Sequence, residues 1–300
     1  MRVFITGASG YVGSAIAGAF VEAGHDVTGL YHSSGSEGGV RDLGAEAVQG
    51  DIGDPDTFQA AARDHDVYVH AAFDAKDPAR ADRDTVEALL RMTGDAEARS
   101  PRMILYTSGC WVLGDTGEEP ADEEAPTDHP AEIVAWRPRH EEQVLTAATE
   151  VVATAVIRPG MVYGGSGGLV SRLFETAVED DAAAYVGKGG NRWSLIHRGD
   201  LARLYLRVAE ERAGGIFHGV DGQPLQVTEL ARAASVAAGA GETRGVPLDE
   251  ARGELGPMAD ALILDQALIA RRSGEIGWRP IRRDFRGAAH EAFIEWKRER

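Results

Sequence analysis

The sequence has few of the features that mark secreted or membrane-embedded proteins. Its single cysteine, Cys110, excludes an internal disulfide and a cysteine-based metal site. No stretch approaches the roughly 18 apolar residues that a membrane helix needs, and the opening Met-Arg-Val-Phe-Ile-Thr-Gly lacks the regions of a signal peptide. We therefore expect a soluble, cytoplasmic protein.

Basic charge is also scarce. The chain has 31 Lys and Arg residues against 48 Asp and Glu residues, a formal net charge of -17. This excess repels phosphate backbones and acidic lipid surfaces, so we expect neither a nucleic-acid nor a membrane partner. The histidines and carboxylates show no metal-ligand spacing, and we predict no metal site. The expected partner is a small-molecule substrate.

Apolar, β-rich runs alternate with helical patterns through about residue 160. The runs cover residues 2–6, 27–31, 46–49, 67–70, 103–107 and 152–157. This alternation predicts an α/β fold with a doubly wound, parallel Rossmann sheet. We assign residues 1–160, with some later segments returning, to this domain. Residues 161–300 are assigned mostly to a smaller, largely helical substrate-binding lobe, with helices near residues 169–179, 200–213 and 227–237.

The first strand runs directly into the loop Gly7-Ala-Ser-Gly10-Tyr-Val-Gly13, which opens a helix. In this arrangement the first glycine permits a tight turn and the second lets backbone N–H groups approach a pyrophosphate. The third allows close packing of helix against strand, and the helix N-terminus favours the anion. Strand, loop and helix in this order predict a dinucleotide-binding site.

The end of the second strand determines which nicotinamide cofactor is preferred. An acidic residue there would accept the ribose hydroxyls of NAD, but the sequence reads Tyr31-His32-Ser33-Ser34. His32 and Ser33 can donate to a 2′-phosphate, with Arg41 as a further donor, so we favour NADP and leave NAD open. Asp51 is expected to accept from the adenine amino group.

Several motifs together resemble those of the extended short-chain dehydrogenase/reductase superfamily, which includes NAD-dependent epimerase/dehydratase-like proteins. They are the glycine loop, Gly50-Asp-Ile52, His70-Ala-Ala72, Tyr106-Thr-Ser-Gly-Cys-Trp-Val-Leu-Gly114, Ile157-Arg-Pro-Gly-Met-Val-Tyr-Gly164, Trp193-Ser-Leu-Ile-His-Arg-Gly-Asp200 and Gly277-Trp-Arg-Pro280. The resemblance implies a Rossmann fold, NAD(P) and a possible homodimer. The predicted cofactor contacts are Gly7, Ser9, Gly10, Tyr11, Val12, His32, Ser33, Asp51, Ile52, Ala71, Ala72, Phe73, Thr107, His140, Pro159 and Val162.

The catalytic residues implied by the resemblance are where this sequence departs from it. In that family a tyrosine is the general acid/base, a lysine four residues later lowers its pKa, and a serine orients the substrate oxygen. Trp136 and His140 occupy the expected tyrosine and lysine positions, and Gly109 the expected serine position, with Ser108 beside it. An indole cannot transfer a proton, so the family's tyrosine mechanism is not carried over.

His140 is the best remaining acid/base, because an imidazole titrates near neutrality. A role as a ribose hydrogen-bond donor stays open. Ser108 and Tyr163 are candidate catalytic helpers, with packing as the alternative for Tyr163. Trp111 and Trp136 are assigned to an apolar substrate pocket, with a core role as the alternative for each.

Three functions remain open at this point. The favoured one is a reductase or dehydrogenase that passes hydride between NADP(H) and a small carbonyl or alcohol. The second is a lyase, isomerase or epimerase that retains the cofactor without net redox chemistry. The third is a non-catalytic, dinucleotide-binding sensor.

Overall fold

The computed structural model describes residues 1–93 and 102–300. Through residue 163 the chain forms β1 (Arg2–Thr6), α1 (Tyr11–Glu22), β2 (Asp26–Tyr31), α2 (Glu37–Asp42), β3 (Glu46–Gln49), α3 (Gln59–Ala62), β4 (Val67–His70), α4 (Pro78–Thr93), β5 (Arg102–Thr107), α5 (Arg137–Thr146), β6 (Val152–Pro159) and β7 (Met161–Tyr163). It continues with α6 (Ser171–Asp180), β8 (Ala182–Val186), β9 (Arg192–Trp193), β10 (Leu195–His197), α7 (Arg198–Glu210), β11 (Gly215–Gly219), β12 (Leu225–Gln226), α8 (Val227–Ala238), β13 (Glu242–Val246), α9 (Leu248–Leu255), α10 (Met258–Leu262), α11 (Arg271–Glu275) and α12 (Phe285–Arg298).

The chain divides into two compact units. The first comprises Met1–Ser108, Trp136–Ile157 and Ala202–Phe217, and the second comprises Gly109–Ala135, Arg158–Leu201 and His218–Arg300. The domain boundary predicted near residue 160 lies close to the passage from the first unit to the second after Ile157. The segment 202–217 is a later segment that returns to the first unit.

The first unit is built on a parallel sheet. Among the described residues, seven strands follow the order β11-β6-β5-β4-β1-β2-β3, and the pairings from β3 to β6 are all parallel. The chain builds outward from β1 to β3 on one side and from β4 to β6 on the other. This reversal next to β1 is the switch point at which doubly wound sheets bind ligands. The predicted Rossmann fold is confirmed.

Burial explains why these segments form strands and helices. All four residues of β4 and the last four of β1 are buried, as expected for central strands that helices cover on both faces. Helix α4 buries residues at helical spacing, including Asp82, Thr85, Val86 and Leu89. The buried face of α4 thus contains one carboxylate, that of Asp82.

The second unit has its own core, with α6, α8 and α12 packed against one another. Short strands accompany the helices: β13 pairs with β8, β10 with β7, and β12 with β9. The core is aromatic and aliphatic, and its largest side chains include Tyr163, Phe174, Trp193, Phe285 and Trp296. The helices predicted near residues 169–179 and 227–237 correspond to α6 and α8, and the one predicted near 200–213 corresponds to α7, most of which belongs to the first unit.

Candidate active site

The glycine loop is closed so tightly that only glycine fits at its ends. Gly7 has φ +74°, and a Cβ atom there would lie 2.7 Å from the Cα of Ala72. A Cβ atom on Gly13 would overlap the carbonyl oxygen of Gly7. The Gly10 N–H closes the turn by donating to that same oxygen at 2.8 Å. The loop therefore holds the start of α1 directly against the end of β1.

A cavity of about 780 Å³ opens in front of this loop. Eleven of the predicted cofactor residues line it: Gly7, Ser9, Gly10, Tyr11, Val12, His32, Asp51, Ile52, Ala71, Ala72 and Phe73. Lys76 and Arg80 add positive charge to the wall, and Asp54, Asp74 and Asp77 add negative charge. Ser33, Thr107 and His140 belong to the same unit without lining this cavity, whereas Pro159 and Val162 belong to the second unit.

The residues present fit a dinucleotide. The cavity lies in the volume range of cofactor pockets. Helix α1 begins at Tyr11 with no hydrogen bond from the Gly10 cap position, which has no side chain, so its first turn faces the loop uncapped. Small side chains at Ala71 and Ala72 leave room at the end of β4. Gly7, Gly10 and the start of α1 would hold a pyrophosphate, with Asp51 and Ile52 toward the adenine.

The end of β2 is polar and largely exposed. The Nε2 atom of His32 lies 3.6 Å from a carboxylate oxygen of Asp51, and the His32 side chain is 78% exposed. The Ser33 hydroxyl lies 2.8 Å from the hydroxyl of Ser36. The guanidinium of Arg41, expected near this place, is bound instead to Glu37 of its own helix at 2.8 Å. His32 and Ser33 are therefore the donors at the end of this strand.

A buried cluster of polar side chains lies behind the end of β4. The Oγ1 atom of Thr6 lies 2.7 Å from Nδ1 of His70 and accepts long hydrogen bonds, 3.3 Å each, from the N–H groups of Ala71 and Ala72. The other ring nitrogen of His70, Nε2, lies 3.3 Å from Oδ1 of Asp82. His70 is thus a buried, hydrogen-bonded residue that links β1 to α4.

Asp82 is the centre of this cluster. Its Oδ2 atom accepts the Tyr106 hydroxyl at 2.8 Å and lies 2.7 Å from Nδ1 of His140. Burial alone would raise the pKa of this carboxyl, but the hydrogen bonds of His140 and His70 outweigh burial and hold the pKa well below its usual range. Asp82 is therefore an ionised carboxylate surrounded by hydrogen-bond donors.

The sequence reasoning missed Asp82. The signal that could have revealed it is periodicity, because Asp82 falls at the same helical spacing as Thr85, Val86 and Leu89, on the face of α4 that is buried. A lone acidic residue on such a face requires a buried partner. Without the structure, nothing in the sequence connects it to His140, which lies 58 positions later.

His140 lies in the first turns of α5 and is only 5% exposed. Its ring centroid is 5.1 Å from that of Trp136, the residue before the helix. Arg137 stacks on Trp136, with Cζ 4.7 Å from the ring centroid, and donates to the carbonyl of Thr107 at 2.6 Å. The start of α5 is thereby tied to the end of β5, next to Ser108.

Two hydrogen-bond donors in this region have no partner among the described residues. They are the Oγ atom of Ser108 and the indole Nε1 of Trp136, and both atoms are buried. The hydroxyl of the neighbouring Thr107 is already engaged, because its Oγ1 accepts from the Tyr205 hydroxyl at 2.7 Å. Each unpaired buried donor costs about 1–3 kcal/mol, and an oxygen atom that accepted from it would remove this cost.

The remaining predicted site residues lie in the second unit. Tyr163 is 1% exposed, with its ring edge-on to Phe285 and His197 at 5.0 and 5.2 Å, and burial raises its pKa. Trp111 lies in the short 3₁₀ turn Cys110–Leu113 and packs against the core of this unit. Burial raises the pKa of Cys110 to about 12, which leaves little thiolate at neutral pH. The roles predicted for Tyr163 and Trp111 stay predictions.

Two negative findings concern only the part of the chain that the structure describes. No group of three or more His, Cys, Asp or Glu side chains within residues 1–93 and 102–300 is arranged to bind a metal ion. Within the same ranges, no helix combines the length and apolar character that a membrane crossing requires.

Comparison with known proteins shows where the chain belongs. An uncharacterized protein of Schizosaccharomyces pombe is 30% identical over 241 residues, covering 77% of this chain and 78% of that one. A 2-alkyl-3-oxoalkanoate reductase of Stenotrophomonas maltophilia is 27% identical over 262 residues, covering 80% and 76%.

Solved structures share the fold at lower identity. The dTDP-glucose 4,6-dehydratase of Bacillus anthracis in complex with NAD has a TM-score of 0.83 at 17% identity, with 100% of both chains covered. A human epimerase family protein with NADPH has a TM-score of 0.82 at 20% identity, covering 98% and 99%. The model of the NAD dependent epimerase/dehydratase family matches residues 3–218, and this protein belongs to that family.

Proposed function

We propose that this protein is an NAD(P)-dependent oxidoreductase that interconverts a small carbonyl compound and its alcohol, with a preference for NADP. Its family includes reductases, dehydratases and epimerases, and the similarity to a 2-alkyl-3-oxoalkanoate reductase favours a ketone substrate. The cytoplasmic setting expected from the sequence is part of the proposal.

The observation that carries the proposal is the pair of unpartnered donors, Ser108 Oγ and Trp136 Nε1. A carbonyl or alkoxide oxygen accepts up to two hydrogen bonds, and we propose that the substrate oxygen accepts from these donors. Donors aimed at an oxygen that gains negative charge stabilise that charge more strongly as the reaction proceeds. An indole N–H holds the oxygen without transferring a proton.

His140 then supplies or removes the proton. NAD(P)H, when held by the glycine loop, would supply the hydride that reduces the carbonyl carbon. The proton on Nε2 of the His140 imidazolium goes to the substrate oxygen, which gives the alcohol and a neutral imidazole. In the oxidation direction the neutral Nε2 takes the hydroxyl proton back. Both directions require Nδ1 of His140 to keep its hydrogen bond to Asp82, whose Oδ2 atom lies 2.7 Å away.

Titration of the purified protein with NADPH and separately with NADH tests the cofactor, with energy transfer from tryptophan to the nicotinamide as the signal. If either cofactor binds, 3-oxo acids and other small ketones are screened as substrates, with the absorbance of the nicotinamide as the readout. Failure of both cofactors to bind would eliminate the oxidoreductase proposal.

Removing the indole N–H of Trp136 while keeping an aromatic ring tests the proposed oxygen contact. Trp136→Phe is expected to lower kcat/KM by about 10- to 100-fold, the effect of losing one hydrogen bond to a charged group. Trp278→Phe is the matched control, because it removes an indole N–H already paired with the carbonyl of Asp200 at 3.2 Å. Equal effects of the two variants on kcat/KM would count against the oxygen contact.

Introducing a carboxylate at the end of β2 tests the NADP preference. His32→Asp places a negative charge beside the proposed 2′-phosphate and next to Asp51, so NADPH affinity should fall about tenfold with little change for NADH. The neutral variant His32→Asn separates charge from the loss of the imidazole. A parallel loss for both cofactors would mean that His32 does not distinguish them.

A further inference from the structure

We infer that Asp82 is a positioning residue that fixes the tautomer of His140, keeping the proton on Nδ1 and presenting Nε2 to the substrate. The inference rests on the proposed function for its catalytic meaning. The inference is based on a row of buried side-chain contacts that runs from Thr6 through His70 and Asp82 to His140. We call these four side chains the imidazole relay.

The first step concerns His70. Its Nε2 atom faces the Asp82 carboxylate at 3.3 Å, and an unprotonated nitrogen there would set a lone pair against a negative charge. Nε2 therefore carries the proton. Nδ1 is then an acceptor for the Thr6 hydroxyl at 2.7 Å, whose oxygen is already used by two backbone N–H groups. Each ring nitrogen of His70 thus has one polar neighbour, the Thr6 hydroxyl at Nδ1 and the Asp82 carboxylate at Nε2.

The second step concerns Asp82. With Nε2 of His70 lying 3.3 Å from Oδ1, and Tyr106 and His140 at Oδ2, the carboxylate can act only as an acceptor. Its side chain is 7% exposed, so the protein supplies its hydrogen bonds. An ionised carboxylate 2.7 Å from Nδ1 of His140 requires a proton on that nitrogen.

The third step concerns the reaction. An imidazole with a proton fixed on Nδ1 has its free lone pair on Nε2, so the neutral ring can accept a proton from an alcohol. The opposite tautomer would present an N–H to the substrate in the neutral ring and could not act as a base. The relay thus makes His140 competent in both reaction directions.

The test is nitrogen-15 NMR of histidine-labelled protein, which distinguishes protonated from unprotonated ring nitrogens. The chain has nine histidines, and the signals that disappear in His140→Gln are those of His140. At a pH where His140 is neutral, the wild-type spectrum is expected to show Nδ1 protonated and Nε2 unprotonated. The reverse pattern in the wild type would overturn the inference without any Asp82 variant being needed.

Two variants of Asp82 sharpen the test. Asp82→Ala removes the acceptor, so His140 should shift toward the Nε2–H tautomer that predominates in free imidazole side chains, and kcat should fall about 10³-fold. Asp82→Asn should keep its oxygen on Tyr106 and His140, because two donors meet Oδ2 and one meets Oδ1. Its amide N–H would then face His70, and the tautomer of His140 should be retained.

Asp84→Ala is the matched control, since Asp84 lies on the same helix and its carboxylate pairs with Arg83 and Arg80. This variant should leave both tautomers and kcat unchanged. An unchanged His140 tautomer in folded Asp82→Ala would refute the inference. If Asp82→Ala shifts the tautomer in a protein without carbonyl reductase activity, the tautomer assignment stands and the proposed function fails.

Discussion

Replacing His140 by glutamine is expected to lower kcat by about 10³-fold, within the range for the loss of a general acid/base. Glutamine preserves a hydrogen-bond donor toward Asp82 in the buried site but cannot exchange a proton with the substrate. The loss should therefore appear in kcat, while the dissociation constant of NADPH changes less than about threefold. Steady-state kinetics together with the tryptophan titration separate the two effects.

His290→Gln, an exposed position on α12, controls for the substitution itself. If His140→Gln keeps its turnover and binds the cofactor more weakly, His140 is a ribose contact. A different group must then supply the proton.

Asp221→Asn is expected to stabilise the protein at pH 8 and to remove a component of its pH dependence. Asp221 is 7% exposed, and its Oδ2 atom has no hydrogen-bond partner among the described residues. Burial, with smaller contributions from Asp284 and Asp200, raises the pKa of this carboxyl to about 7. An ionised Asp221 is therefore a destabilised group in the folded protein.

The direction of the effect follows from proton binding. Between about pH 4 and pH 7 the folded protein holds a proton on Asp221 that the unfolded chain has released, so stability falls as the pH rises through this window. Asparagine cannot ionise. Asp221→Asn is therefore expected to raise the free energy of unfolding by about 2 kcal/mol at pH 8, after allowance for an imperfectly paired amide.

Urea unfolding at pH 5 and pH 8 measures this gain. Asp249→Asn serves as the control, because the Asp249 side chain is 94% exposed. This variant should leave the free energy of unfolding unchanged at both pH values. Equal stability of wild type and Asp221→Asn at pH 8 would show that Asp221 is not destabilised by ionisation.

The fold and the cofactor loop could be predicted because their signals are local. Apolar runs mark the strands to within a residue or two, and the glycines at 7, 10 and 13 follow β1 directly. Backbone geometry at those positions leaves no alternative to glycine. Local patterns of this kind are readable without knowledge of the three-dimensional neighbours.

The acid/base site could be predicted only in part, because its geometry is non-local. His140 was singled out by its chemistry, whereas Thr6, His70 and Asp82 come from three different elements that only the sheet brings together. The family pattern concerns positions 136 and 140 and gives no indication of Asp82 on α4. Arg41 pairs with Glu37 four residues earlier on its own helix, a local contact that the spacing of the two residues in the sequence does indicate.

The carboxylate of Asp82 also has a consequence for the evolution of this site. Nδ1 of His140 and the Asp82 carboxylate lie 2.7 Å apart in a buried site, so replacing Asp82 alone leaves Nδ1 without this acceptor, whereas replacing His140 alone leaves the carboxylate with Tyr106 and His70. The two positions are therefore expected to covary among relatives. In the double variant Trp136→Tyr, His140→Lys, the new ammonium group is expected to form an ion pair with Asp82.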